Sequence, residues 1–249
     1  MNFHIVTLFP EVIDAYAEVS ILGRAQKILK KGGRGKEMLL SVTSYQLRDF
    51  VTNKWGKADE RPYGGGPGMV LQAEGFARAV AAIQKKISRR RSSTLATVKP
   101  RTKKTKILIM AAGGTQLTNA YAKKLAKEGN VIILCGRYEG IDARVAKIAS
   151  SLNCSVEEVS VGPYILTGGE LPALTIIDTT ARQIPGVLGT FSSLEEERVA
   201  SHDVYTRPEV FEFKDAKGRV KRYSVPSVLL SGNHALKDAW KEQKRSKPL

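Results

Sequence analysis

The sequence predicts an α/β domain with a mainly parallel sheet, followed by a small C-terminal part. Three observations lead there. Short apolar runs rich in β-branched residues alternate with stretches of helical periodicity. Glycine-bearing loops follow successive runs, as in units where strand and helix alternate. Beyond an acidic, serine-bearing break the remaining segment of about 45 residues is marginal for independent stability.

Taken in order, Phe3–Leu8, Met38–Val42, Lys106–Met110 and Val131–Cys135 read as buried strands. Helical patterns cover Ala73–Ile87, Gln116–Glu128, Ile141–Ser150 and Glu170–Gln183, with Gly113-Gly114-Thr115 as turn and cap before the second. Gly113-Gly114 follows one strand and Gly136 the next, so both loops should open on the carboxyl edge of the sheet, where ligands collect. Ser88–Thr105 lacks hydrophobic periodicity and reads as a mobile basic insertion. The expected division is a main domain over 1–188, a mobile loop over 189–203 and a small domain over 204–249. In the last, Val225–Leu230 is apolar and Ala235–Lys244 is an amphipathic helix candidate. No internal repeat is present.

Composition narrows the function. The 249 residues carry a formal net charge of +16, which points to a polyanionic partner. From Ile107 to Val187 seven Lys/Arg balance seven Asp/Glu, whereas Lys85–Lys106 holds ten Lys/Arg and no acid. More cations cluster at Lys217, Arg219, Lys221 and Arg222, and from Lys237 to Lys247. A neutral centre with basic flanks suits a small-molecule pocket framed by phosphate-binding surfaces. No apolar run spans a bilayer and the N-terminus lacks a signal-peptide pattern, so a cytoplasmic protein without a membrane partner is expected. Cys135 and Cys154 then read as reduced, structural thiols.

Arg61-Pro62-Tyr63-Gly64-Gly65-Gly66-Pro67-Gly68-Met69 concentrates glycine beyond the needs of an ordinary loop, which suggests close backbone approach to a ligand, with Arg61 available for a phosphate. Cys135-Gly136-Arg137-Tyr138-Glu139-Gly140-Ile141-Asp142 joins a buried strand to a helix. The longest such string, Val161-Gly162-Pro163-Tyr164-Ile165-Leu166-Thr167-Gly168-Gly169-Glu170-Leu171-Pro172, contains no cation. It suits a flat, neutral ring gripped by main-chain groups better than a phosphate. Walker A and strand-following G-x-G-x-x-G patterns are absent, no zinc spacing occurs, and no nucleophile elbow is present. No metal ligands are assigned.

Together these strings resemble the TrmD family of SPOUT methyltransferases. The resemblance runs from Leu8-Phe9-Pro10 through the glycine loops to Tyr205-Thr206-Arg207-Pro208-Glu209 and Val228-Leu229-Leu230-Ser231-Gly232-Asn233-His234. It implies transfer of the methyl group of S-adenosyl-L-methionine to N1 of guanosine 37 of tRNA, which maintains the reading frame. The alternative is a SPOUT methyltransferase acting on another RNA position. It also implies a deep trefoil knot in the C-terminal part of the main domain, a homodimer with cofactor sites at the interface, and a small helical C-terminal domain that binds tRNA. The cofactor loops would be Ile109–Gly114, Gly136–Gly140 and Val161–Pro172. Within them Gly136, Glu139, Val161, Gly162, Pro163, Tyr164, Ile165, Leu166, Gly168, Gly169 and Pro172 are the candidate cofactor-binding residues. Arg182 occupies the position of the arginine that stabilises charge on guanine O6. The general base falls on Glu197, with Asp203 as runner-up and Glu195 or Glu196 as neighbours. A role for Mg²⁺ stays open.

The chain departs from the family pattern at several points. Glu197-Arg198 stands where aspartate-serine is usual, and Ala111-Ala112 where serine-proline is. The basic insertion is longer, and the chain ends sooner after Trp240.

Overall fold

A computed structural model describes residues 1–27, 29–30, 36–93, 105–188 and 203–244. The chain separates into two compact units, Met1–Gly189 and Thr190–Leu249.

The first unit opens with β1 (Asn2–Thr7), α1 (Pro10–Ala17) and α2 (Ser20–Gln26), followed by the short antiparallel pair β2 (Leu29–Lys30) and β3 (Lys36–Glu37). β4 (Ser41–Gln46) precedes a second short pair, β5 (Asp59–Glu60) with β6 (Val70–Leu71), and then α3 (Ala73–Ser93). β7 (Thr105–Gln116), α4 (Asn119–Leu125), β8 (Asn130–Leu134), α5 (Arg144–Ser151), β9 (Cys154–Ser160) and α6 (Glu170–Arg182) complete it. The main sheet has the order β4-β1-β8-β7-β9 and every pairing is parallel.

The sheet is covered on both faces, which explains the unbroken apolar run of β8. Phe3, Ile5, Val131 and Ile133 join one core with Ile13 of α1, Leu22 of α2, Leu125 of α4 and Ile176 and Ile177 of α6. Val6, Ile107, Ile132 and Leu134 turn the other way, toward Phe76, Val80 and Ile83 of α3 and Val145 of α5. Each such fully buried side chain contributes about 1.5–3 kcal/mol. Strand alternation therefore builds two cores from one sheet.

Several expected boundaries move. Met38–Val42 is replaced by β4, a half-buried strand whose residues Thr43, Ser44 and Gln46 hid its periodicity. Gly113-Gly114-Thr115 is not a turn with a cap: β7 continues through it with a register shift between Met110 and Thr115. Gly114 has no room for a side chain, since a Cβ would stand 2.5 Å from the Glu158 carbonyl carbon. The true cap is Thr118, whose hydroxyl accepts from Tyr121 N at 3.1 Å, so α4 starts at Asn119 rather than Gln116. α5 likewise starts at Arg144 because 136–142 is still loop.

The basic insertion is shorter than expected. Ser88–Ser93 continue α3, because straight-chain cations are good helix formers, while Thr105 and Lys106 open β7. Residues 94–104 lie outside the described residues. α1, α2 and β9 were not anticipated. Glu157-Glu158 disguises β9, an edge strand whose Glu157 is neutralised by Lys106 and receives a hydrogen bond from Tyr121. Burial first, then that carboxylate, pushes the Tyr121 phenol well above its ordinary range.

The second unit is mixed rather than all-helical. β10 (Val210–Lys214) and β11 (Val220–Ser224) form an antiparallel hairpin before α7 (Ser227–Leu230) and α8 (His234–Gln243). Lys221-Arg222 in β11 concealed the hairpin pattern. α8 is capped by Asn233, which accepts from Leu236 N at 3.2 Å. The loop over 189–203 is outside the described residues apart from Asp203. No described helix is long and apolar enough to cross a membrane.

Candidate functional site

The bulged middle of β7, residues 109–112, lies beside the loops that leave the carboxyl ends of β8 and β9. They enclose a cavity of about 440 Å³.

The loop after β8 is built around a tight turn, Gly140 N donating to Arg137 O at 3.0 Å. Tyr138 within it has φ +58°, a left-handed backbone that costs a side-chain-bearing residue about 1–3 kcal/mol. Three more backbone bonds fix the loop to the glycine-rich stretch before β6. Glu139 N donates to Met69 O, Leu71 N to Gly140 O, and Asp142 N to Leu71 O, each at 3.0 Å. The glycine string of 64–68 is thus coupled to the cavity wall through Met69.

The loop after β9 folds back over the one after β8. Gly169 N donates to Gly136 O at 2.9 Å, and Arg137 bridges to Gly168. The backbones meet closely here, because a Cβ on Gly169 would lie 2.7 Å from Cys135 Cα and 2.9 Å from Gly136 N. The Tyr164 ring covers Gly162, and its hydroxyl donates to Val161 O at 3.2 Å. Ser160 donates to Gly162 O at 2.9 Å and closes the first turn.

Beneath the loops lies a buried ionic cluster that the sequence did not disclose. Glu170, 2% exposed at the start of α6, accepts from Thr7 Oγ1 at 2.6 Å through Oε1. Its Oε2 sits 2.9 Å from Arg137 Nη2, an ion-pair distance without hydrogen-bond alignment. The Arg137 guanidinium also lies 4.6 Å from the Phe9 ring centroid. A carboxylate this deep is tolerable because it is paired and faces a helix N-terminus. The cluster ties β1, the loop after β8 and α6 together. Its signal was the glutamate directly after Gly168-Gly169 in an apolar stretch, together with the only arginine of the loop after β8. Cys135 beside it is a free thiol pushed well above its ordinary pKa by burial and then by Glu170, so it stays protonated.

Of the sequence candidates, Gly136, Glu139, Val161, Gly162, Tyr164, Ile165, Leu166, Gly168, Gly169 and Pro172 stand in the cavity wall; Pro163 does not. Met110, Ala111, Ala112, Arg137, Tyr138 and Glu158 join them. The wall offers apolar side chains, free loop backbone and two carboxylates, Glu139 and Glu158. That suits a flat neutral ring carried by a cationic chain, which is the chemistry of S-adenosyl-L-methionine.

A family model described as tRNA (Guanine-1)-methyltransferase TrmD matches residues 1–248. The chain belongs to this family. It is 39% identical over 248 residues to a tRNA (guanine-N(1)-)-methyltransferase of Lachnospira eligens, covering 98% of this chain and 89% of that one. Similar enzymes of Geobacter metallireducens and Aliivibrio salmonicida are each 38% identical, over 98% and 92% of this chain and 86% and 79% of theirs.

The TrmD-type catalytic candidates fall elsewhere. Arg182 ends α6, half-buried, and pairs with no acid among the described residues. It is absent from the cavity wall, and twelve residues of helix separate it from Glu170, about 18 Å. Glu197, Glu195 and Glu196 lie outside the described residues. Asp203 belongs to the second unit, 3.8 Å from Lys244. Among the described residues no group of three or more His, Cys, Asp or Glu could hold a metal.

Proposed function

We propose that the chain transfers the methyl group of S-adenosyl-L-methionine to N1 of guanosine 37 of tRNA in the cytoplasm, and so guards the reading frame. The observation that carries this reading is the cavity walled by the middle of β7 and the glycine-bearing loops after β8 and β9, which offers apolar side chains and two carboxylates, in a chain of this family.

Bound S-adenosyl-L-methionine supplies an electrophilic methyl group on a positive sulfur. Gly136, Tyr164, Ile165 and Leu166 of the cavity wall would hold its ring, and Glu139 would offset its positive charge. The remaining chemistry concerns the guanine. Its N1–H bond breaks toward the Glu197 carboxylate, and negative charge grows on O6. Arg182 donates to that oxygen, a role worth roughly 10²–10³ in rate. The N1 electron pair would then bond to the methyl carbon as the carbon–sulfur bond breaks, its electrons staying on sulfur in S-adenosyl-L-homocysteine.

The active unit is a homodimer. Two features support it: Arg182 stands far along α6 from the cavity of its own chain, and apolar groups are exposed beside that helix. Ile165 is 89% and Leu171 58% exposed, and Val12, Tyr16 and Val19 on and after α1 are also uncovered. α1 adjoins α6 through Tyr16, whose hydroxyl donates to Asp178. A second copy covering this face would bring a second set of catalytic groups to each cavity.

The segment from Val161 through α6 threads as a deep trefoil knot. In support, β9 is an edge strand, yet the loop after it bonds to Gly136 beyond β8 and Glu170 reaches Thr7 of β1. The small domain over 204–249 and the basic stretch Lys85–Lys106 grip tRNA phosphates.

The test is methyl transfer to defined tRNA transcripts with the modified base mapped, run with and without Mg²⁺. Methylation should occur at N1 of guanosine 37 and vanish when that base is replaced; undiminished transfer would move the target elsewhere. Glu197→Gln should abolish turnover with cofactor affinity nearly intact, whereas a wild-type rate would shift the base to Asp203 or a neighbouring glutamate.

A further inference from the structure

The second unit carries a surface that the catalytic reading does not use. In the hairpin, directly opposed residues share a face. Phe211 opposes Tyr223 and Phe213 opposes Lys221, so three aromatic rings and a lysine occupy one side. Glu212 opposes Arg222 on the other side, where they form an ion pair of 3.1 Å. Within the paired residues 210–214 and 220–224 the aromatic face therefore contains no acid. Its rings are exposed: Phe211 54%, Phe213 58% and Tyr223 55%. Phe211 and Phe213 are nearly parallel, 20° apart with centroids at 6.4 Å, which is about the spacing of alternate residues on a strand.

The turn at the tip holds this face rigid. Asp215 accepts from Lys217 N at 2.9 Å and Arg219 N at 3.0 Å, and Arg219 Nε reaches its other oxygen at 3.1 Å. Those backbone bonds, reinforced by the Arg219 side chain, hold its carboxyl below the usual range, so the charge at the tip is neutralised internally. Lys214, Lys217 and Lys221 keep no ion pair among the described residues. A two-stranded ribbon wet on both sides is marginal alone, so three uncovered rings call for an occupant.

We propose that this face is a stacking platform for unpaired nucleobases of the RNA substrate. The rings receive bases and the flanking lysines receive the phosphates. The proposal rests on the reading of the chain as a tRNA enzyme and adds the site that engages unpaired nucleotides. Charge selects this occupant over a second copy of the chain, whose own hairpin would present the same excess of cations. Stacking tolerates any base, so the platform contributes grip and selects single-stranded over paired RNA rather than reading sequence.

The test titrates the full chain into a short single-stranded RNA bearing a fluorescent purine analogue, with a duplex of equal length as comparison. Stacking should quench the analogue. Phe211→Ala with Phe213→Ala should weaken single-strand binding at least tenfold while leaving its salt dependence unchanged. Lys221→Ala should instead lower the slope of log affinity against log salt by about 0.7. Phe211→Tyr with Phe213→Tyr should retain binding, which separates lost stacking from a lost fold. Equal affinity for single strand and duplex, with neither changed by the alanine pair, would overturn the platform. So would an alanine pair that altered the oligomeric mass without altering RNA affinity. Retained quenching by a chain unable to methylate tRNA would count against the proposed function alone. Methylated guanosine 37 with an indifferent alanine pair would count against the platform alone.

Discussion

One glycine-rich region lines the cavity and another is tied to its wall through Met69, and they use glycine for opposite reasons. Gly64, Gly65 and Gly66 have φ of +88°, +78° and +108°, with no atom within 4 Å of where a Cβ would stand. Gly169 has an ordinary helical φ of −81° but no space, pressed between Cys135 and Gly136. The first region needs glycine for its backbone angles and the second for its volume. Strain in an open loop can relax locally. A clash between two backbones inside the cavity wall displaces the wall.

The largest expected effect lies beneath the second region. Glu170→Ala leaves Arg137 without its carboxylate and Thr7 without its acceptor, a loss of about 3–5 kcal/mol for breaking a buried pair. Denaturant unfolding should show the midpoint falling at unchanged slope; a wild-type midpoint would make the cluster dispensable. Gly169→Ala comes next, at about 1–3 kcal/mol for overpacking. Because the displaced atoms are cavity wall, calorimetry should find affinity for S-adenosyl-L-methionine at least tenfold weaker. Gly65→Ala should cost only about 1–2 kcal/mol for a left-handed alanine and leave cofactor affinity within twofold. If it weakened the cofactor as much as Gly169→Ala, the two regions would form one rigid wall and the distinction would fail.

The same contrast explains what could be read from the sequence. Buried parallel strands announce themselves through unbroken runs such as Val131–Cys135, and long strings such as Val161–Pro172 pointed to a neutral cavity. Most half-solvated elements did not. β4 and β9 mix Ser, Thr and Glu into their strands and Lys221-Arg222 interrupts β11, so these show no apolar period, whereas the alternation of Phe211 and Phe213 with Glu212 and Lys214 in β10 was legible. Pairing across long sequence separations was invisible for a different reason. Thr7 and Arg137 meet because β1 and β8 are neighbours, Glu170 joins them because the loop after β9 crosses back to Gly136, and no spacing between the three carries that fact. Arg182 could be singled out from the sequence, but a single chain places it at the far end of the helix that starts in the cavity.

The smallest effect tests whether side-chain charge matters to the loop after β8 at all. Asp142 closes that loop and accepts from Arg144 N and Arg144 Nε, both at 2.9 Å, while the Arg144 side of their ion pair is largely solvent-exposed. The side-chain bond from Arg144 is the main reason its carboxyl lies below the usual carboxylate range. A carboxyl lowered by folding contributes stability that is fully present above its unfolded pKa, about 3.9, and is lost as pH falls through the folded value. Asp142→Asn should therefore cost less than about 1 kcal/mol at neutral pH, given the solvent screening, and nothing once the pH is below both values. Thermal melts of the two proteins, taken from pH 7 down through the acid range, measure the difference. A gap that persisted in acid would assign the contribution to the hydrogen-bonded shape of the Asp142 turn rather than its charge. The loop would then resemble its partner after β9, held by hydrogen bonds without an ion pair of its own.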